Sequence, residues 1–168
     1  MKTLKGLTQS QLKSQLHYNP RTGVFKRLVD RPANGIVAGD IAGHLKSDGY
    51  VVISVFGKKY RAHRLAFLYM LGRWPKHLVD HRDRNKSNNR WNNIRDATSA
   101  ENGKNQLAHS SNTSGYKGVS KRTGRENWIA RAAHNKERIH LGSFPTPELA
   151  NEAYINFTKK LHGDFYAK

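Results

Sequence analysis

With 168 residues the chain can build one moderate domain or two small ones packed together. It carries 30 Lys and Arg against 12 Asp and Glu, a formal charge of +18, and no cysteine, so disulfides and thiolate-bound zinc are excluded. No apolar run reaches the ~18 residues of a membrane span, and the start of the chain lacks a signal-peptide apolar core, so a cytoplasmic protein without membrane contact is expected.

The basic excess runs along the whole chain: +9 over residues 1–72, +4 over 73–110 and +5 over 111–168. Each phosphate neutralised by such a surface releases counterions, so a nucleic acid is the expected partner. Charge alone fits a basic solvated surface or an RNA-holding role equally well.

Residues 1–75 read as a β-rich segment with one helix. Residues 23–28 and 49–56 are strand-like, and Gly57-Lys58 offers a tight turn into a strand at 59–62. Leu65, Leu68 and Tyr69 then recur at helical spacing, with Gly72 as the stop. Residues 76–107 form a second segment, polar and dense in asparagine. Leu78-Val79 suits a short strand and residues 92–95 another, while Thr98-Ser99-Ala100-Glu101 has capping-box spacing that predicts a helix carrying Asn102. Residues 108–115 lie in a small, polar run that reads as a linker. In the last segment, 116–168, strand-like runs cover 116–121, 127–135 and 136–144. A helix follows, capped by Thr146, opened by Pro147 and closed by Gly163, with Ala150, Ala153, Tyr154, Phe157 and Leu161 as its apolar stripe.

The chemistry concentrates in the middle segment. Asp80 and the amide oxygen of Asn102 are hard oxygen donors suited to a divalent ion, which would neutralise charge at a phosphorus centre. His81, with an ordinary pKa near neutrality, can take a proton from water. Asn93 is the candidate to orient it through its other nitrogen. Consecutive strand residues point to opposite faces, so Asp80 and His81 need irregular geometry to reach one phosphate.

Asp80-His81, Asn92-Asn93, Asn93-Ile94-Arg95 and Glu101-Asn102, in this order within residues 80–102, resemble the HNH nuclease motif, most closely that of phage- and intron-encoded homing endonucleases. The resemblance implies a ββα-metal fold with His81 as general base, Asn93 as its orienting partner, and Asp80 and Asn102 as ligands of one divalent ion, Mg2+ or Mn2+. It also implies products with 5′-phosphate and 3′-hydroxyl ends. Asn105 either supports this site or faces solvent. Asn88 and Asn89 are read as loop-shaping and His77 as exposed. His63 stands in an Ala-His-Arg-Leu run that the family often shows, which offers an approach to the phosphate or the metal; as a single residue it is read as a packing or hydrogen-bonding histidine.

Tyr116-Lys117-Gly118-Val119, Trp128-Ile129-Ala130, Leu141-Gly142-Ser143-Phe144 and the alanine-rich helix resemble the Apetala/ethylene-responsive-factor DNA-binding domain. That resemblance implies a three-stranded antiparallel sheet on one helix, with its open face in the major groove. Alternation places Trp128, Ala130 and Ala132 inward and Ile129, Arg131 and Ala133 outward. Carried over by position, the DNA-facing residues are Lys117, Arg122, Arg131, Arg138 and His140. Ser120 and Ala133 stand where the plant proteins usually have arginine, so base preference does not transfer.

The expected fold class is α+β: a ββα-metal core, an N-terminal β-rich segment, and a C-terminal sheet packed on a helix. Lys58, Lys59, Arg61, Arg82, Arg84 and Arg90 are expected phosphate contacts, which set position rather than sequence preference. The expected activity is site-preferring hydrolysis of double-stranded DNA, with no obligate protein partner. The competing expectation is a non-cleaving regulator that binds DNA through the C-terminal segment, and an RNA-binding module comes third.

Overall fold

A computed structural model describes residues 6–106, 112–134 and 137–162. The chain divides into two compact units, Met1–Ser99 and Ala100–Lys168. Both mix helices with small antiparallel sheets of two or three strands.

The first unit opens with α1 (Gln9–Gln15), a second helix in a segment read as β-rich with one helix. Its signal was present as a capping box. The Gln11 amide donates to Thr8 Oγ1 at 3.3 Å, and the Thr8 amide donates to Gln11 Oε1 at 3.0 Å. α1 runs directly into a hairpin of β1 (Leu16–Asn19) and β2 (Val24–Arg27), paired from Leu16↔Arg27 to Asn19↔Val24. A sheet of β3 (His44–Leu45), β4 (Val51–Val55) and β5 (Lys58–Arg61) follows in that spatial order. The β4–β5 turn sits on Phe56 and Gly57, with φ of 48° and 75°, one residue before the expected Gly57-Lys58. Two consecutive positive φ values match the right-handed twist of the flanking strands.

α2 (Ala62–Leu71) ends at Gly72, whose φ of 70° lets its amide reach the Leu68 carbonyl at 3.0 Å. The helix buries Ala62, His63, Leu65, Ala66, Phe67 and Leu68. Those side chains meet Leu12, Leu16, Tyr18, Phe25, Ile53 and Val55 in one core that extends to Ile94. At its centre Tyr18 stacks on Phe25 at 4.6 Å between ring centroids. β6 (Leu78–His81) and β7 (Ile94–Ala97) form the last hairpin of the unit, with Asp80 opposite Arg95 and His81 opposite Ile94. Val79 and Trp91 pack on the same core, so the hairpin is not a separate module. β7 begins two residues later than the 92–95 reading, because Asn92 and Asn93 close the loop instead of entering the ladder.

The second unit begins within α3 (Ser99–Asn105). β8 (Val119–Lys121), β9 (Trp128–His134) and β10 (Glu137–Phe144) form an antiparallel sheet with β9 central, and α4 (Pro147–His162) packs on it. Thr146 Oγ1 accepts the Leu149 amide at 3.3 Å, capping α4. Gly163, read as its stop, lies outside the described residues. Val119, Ala130 and Ala150 form the core, with Tyr116, Trp128, Leu141 and Phe144 around them. The β9–β10 register shifts between His140 and Gly142, so Leu141 is an extra residue that joins this core while the alternation restarts after it.

Gly118 shows how tightly this small core closes. Its φ is 74°, and a Cβ there would run into the Tyr154 ring and come within 2.6 Å of the Arg131 carbonyl. Gly118→Ala is therefore expected to destabilise the second unit by about 2–4 kcal/mol, strain and overpacking acting together. Native-state hydrogen exchange should show the loss in β8 and β9 amides, with those of β1 and β2 unchanged.

Candidate active site

Asp80 and His81 are consecutive on β6 and both are buried, at 5% and 4% exposure. Asp80 meets the residue opposite it on the ladder. Arg95 donates to its Oδ2 from Nε at 2.8 Å and from a terminal nitrogen at 2.7 Å. Both partners are almost solvent-free, so the pair holds the carboxylate in place at a geometry that truncating either side would break at a high cost.

His81 turns to other elements. Its Nε2 lies 3.3 Å from Asn89 Oδ1. Its ring meets the His63 ring of α2 edge-on, with centroids 5.1 Å apart, and Tyr50 at 6.1 Å. Burial lowers the His81 pKa, the Asn89 hydrogen bond and the Asp83 and Asp80 charges opposing this in part. The imidazole is thereby biased toward the neutral, proton-accepting form.

The loop between the strands is built on asparagine and aspartate. Asn93 Nδ2 donates to Asp83 Oδ1 at 2.9 Å and to the Asn88 carbonyl at 2.8 Å, while its Oδ1 accepts the Asp83 amide at 3.1 Å. Burial alone would raise the Asp83 pKa, but hydrogen bonds from Asn88, Asn93 and the Asn85 amide outweigh it and hold the carboxyl low. Arg84 takes a φ of 63° at the tight turn of the loop. Asn89, read as loop-shaping, is the asparagine whose side chain faces His81, while Asn93, read as the orienting partner, bonds to Asp83 and the Asn88 carbonyl. Asn89 is 2% exposed and anchored from below: the Tyr18 hydroxyl donates to its carbonyl at 2.7 Å, and the Trp91 amide donates to the Pro20 carbonyl at 2.9 Å. Gly23, with φ of 75°, lies so close to the Asn89–Arg90 peptide that a Cβ would overlap it.

Asn102 is half-buried on α3, within the second unit. Asn105 is buried at 3% exposure, which removes the solvent-facing reading. A hard divalent ion takes one or two carboxylates and keeps waters and phosphate oxygens for its other positions. Asp80, an oxygen donor fixed by Arg95, and the Asn102 amide oxygen are chemically suited to such an ion. Among the described residues no group of three or more His, Cys, Asp or Glu is placed to form a closed metal cage.

Residues 60–104 match the HNH endonuclease family. An uncharacterised HNH endonuclease of Acanthamoeba polyphaga mimivirus is 32% identical over 126 residues, 74% of this chain and 64% of that protein. The chain therefore spans less than two thirds of that relative's length. A solved structure on DNA binding and cleavage by the HNH homing endonuclease I-HmuI aligns at 22% identity over 88% of this chain and 85% of that one, with a TM-score of 0.43. The HNH match takes in Arg61, His63, Asp80, His81, Asn89, Asn93, Arg95 and Asn102, whereas Tyr18, Gly23 and Tyr50 lie outside it.

Arg82, Arg84 and Arg90 are exposed on the HNH loop, and Lys58, Lys59 and Arg61 on β5. Arg61 lies 4.0 Å over the Tyr50 ring and 3.4 Å from Asp48, and Lys86 Nζ is 5.1 Å from the same ring. His77 is partly exposed, and its Nδ1 lies 3.4 Å from Asp96. In the second unit Arg122, Arg131 and His140 line an open groove of about 490 Å³ with Ser120, Ile129 and Ser143. Ile129 points to this outer face as alternation requires, yet it is 7% exposed because its neighbours close over it. Arg138 is exposed beyond the groove. Lys117 differs from the expected DNA-facing set: its Nζ donates to the Gly103 and Gln106 carbonyls, each at 2.8 Å, and burial lowers its pKa. It closes the C-terminal end of α3.

No helix among the described residues is long and apolar enough to cross a membrane.

Tyr18→Phe should leave the Asn89 carbonyl buried without its donor and cost about 1–3 kcal/mol, read from the denaturation midpoint. An unchanged midpoint would show that Asn89 is held by other means. Acid titration offers a second check. Burial, then the His81, Arg61 and Arg64 charges, push the His63 pKa from 6.5 down to about 3. Below the unfolded value the unfolded chain binds a proton that the folded chain refuses, so the stabilising effect is complete above about pH 6.5. Stability should therefore fall between pH 6.5 and 4, by up to about 1.4 kcal/mol per pH unit from this residue, and His63→Phe should flatten the slope.

Proposed function

We propose that this protein is a divalent-metal-dependent HNH endonuclease of the homing type that hydrolyses double-stranded DNA at preferred sites. The observation that carries the reading is His81: a buried imidazole biased to its neutral form, beside a rigid carboxylate, within a segment that matches the HNH endonuclease family.

Asn89 Oδ1, 3.3 Å from Nε2, orients the His81 ring, and the neutral imidazole accepts the proton of the attacking water. The water oxygen bonds to phosphorus, the bond to the 3′ oxygen breaks, and that oxygen gains a proton. The products carry 5′-phosphate and 3′-hydroxyl ends. A divalent ion held by Asp80 and Asn102, Mg2+ or Mn2+, supplies charge neutralisation at the phosphate when bound. Arg95 orients Asp80, and Asn93 keeps the loop closed. Arg82, Arg84, Arg90, Lys59 and Arg61 hold the flanking backbone phosphates.

The second unit serves as the reading head, an Apetala/ethylene-responsive-factor type domain over residues 116–168, with 76–107 as the ββα-metal segment. Arg122, Arg131 and His140, gathered along one groove, meet the major groove of the duplex, and Arg138 extends that face. This groove is also the observation that favours the second reading, a regulator that binds duplex DNA without cutting it.

Supercoiled-plasmid cleavage separates the two. Wild type with Mg2+ or Mn2+ should cleave, and chelation with EDTA should stop it. His81→Ala should lose about 10²–10⁴-fold in rate while duplex binding survives. Folded protein that binds duplex tightly and never cleaves across both metals would establish the regulator in place of the nuclease.

A further inference from the structure

His63 has a role that the hydrolytic scheme above leaves unassigned. It lies in the first turn of α2 at 4% exposure. Its neighbours are rings: Tyr50 with centroids 5.2 Å apart and His81 at 5.1 Å, both edge-on. Neither ring nitrogen has a hydrogen-bond partner among the described residues. Buried polar groups are nearly always paired, and an unpaired one in a functional cleft points to a ligand that completes it. Packing alone would be served better by phenylalanine, which fills the same volume without desolvating two nitrogens.

The surroundings indicate the ligand's chemistry. Arg61 lies 4.0 Å over the Tyr50 ring and Lys86 Nζ 5.1 Å from its centroid, and Arg64 follows His63 directly. Asp48 offsets part of this charge, its carboxylate 3.4 Å from Arg61 and its carbonyl 3.2 Å from Lys86 Nζ. A neutral imidazole among cations carries one N–H donor and no positive charge of its own. An anionic oxygen is the partner that such a donor and such a field both favour. Because the His63 and His81 rings touch, a phosphate that reaches one lies within reach of the other.

We infer that His63 is a catalytic residue whose ring N–H donates to a nonbridging oxygen of the phosphodiester bound at His81. The inference rests on the nuclease reading of this site. It assigns the transition-state contact to α2, ahead of the Asp-His strand.

The test compares wild type, His63→Phe and His63→Gln in the full chain, by thermal unfolding without metal and by steady-state plasmid cleavage. His63→Phe keeps the ring contact and removes the donor. It should melt at or above wild type and lose about a hundredfold in kcat, with KM little changed. His63→Gln, which retains an N–H donor, should recover a large part of that loss. Wild-type turnover in His63→Phe, or a lowered melting temperature in both variants, would overturn the assignment and make the ring a packing element. Failure of the nuclease reading shows differently: wild type itself then cleaves nothing while His63→Phe still melts at or above it. That result removes the inference through its premise.

Discussion

The position of His81 depends on a peptide eight residues further along the chain, the one at Asn89, whose carbonyl rests on the Tyr18 hydroxyl. That hydrogen bond ties the asparagine-rich loop to the N-terminal hairpin. Without it the Asn89 side chain would have no fixed height from which to face His81 Nε2. The close approach of Gly23 to the Asn89–Arg90 peptide enforces the same placement sterically, and the Trp91 amide on the Pro20 carbonyl completes it. Three contacts from one short hairpin thus set the height of the asparagine that faces an imidazole belonging to another sheet. A polar loop gains rigidity here by resting on an aromatic core, since its own side chains bury little apolar surface.

Asp80 solves the complementary problem. A buried carboxylate needs donors that fix it and offset the loss of water. Arg95 meets it from the facing strand through two donors on a single oxygen. The pair also explains how two consecutive polar residues of a regular strand can both be buried. Each is held by its own side of the hairpin, Asp80 by Arg95 and His81 by Asn89 and the ring of His63.

Much of this was legible in the sequence, and the gaps have physical causes. The strand at Val24, the hairpin at Val51, α2 and its Gly72 stop, and the three strands and helix of the second unit follow from alternation, helical spacing and turn chemistry, which are local signals; β1, the partner of the Val24 strand, was not read. α1 carried an equally local signal, the Thr8–Gln11 capping box, and went unread because the short helix has one buried residue, Leu12, and no apolar stripe. The site was legible as residue types but not as partners. Placing the second strand at 92–95 hid the pairing of Asp80 with Arg95, since a shift of two residues moves every cross-strand neighbour. Asn89 and Asn93 differ in no sequence property; which one meets His81 depends on how the loop folds against Tyr18 and Pro20. Lys117 donates to the Gly103 and Gln106 carbonyls, partners that no local sequence signal announced.

The shared core has a consequence for how the matched segment could be moved between proteins. Residues 60–104 are the part that matches a family, yet the hydrophobic cluster beneath them runs from Leu7 to Ile94 and cannot be divided at residue 60. A transplant of the family segment alone would carry Asp80, His81 and Asn102 and leave behind α1, the first hairpin and the β4 strand of the core beneath it. The heritable unit of chemistry is therefore smaller than the unit of autonomous folding. Recombination or design that respects the latter starts upstream of Leu7 instead of at residue 60, and runs past Ser99 so that the matched segment stays whole through Asn102.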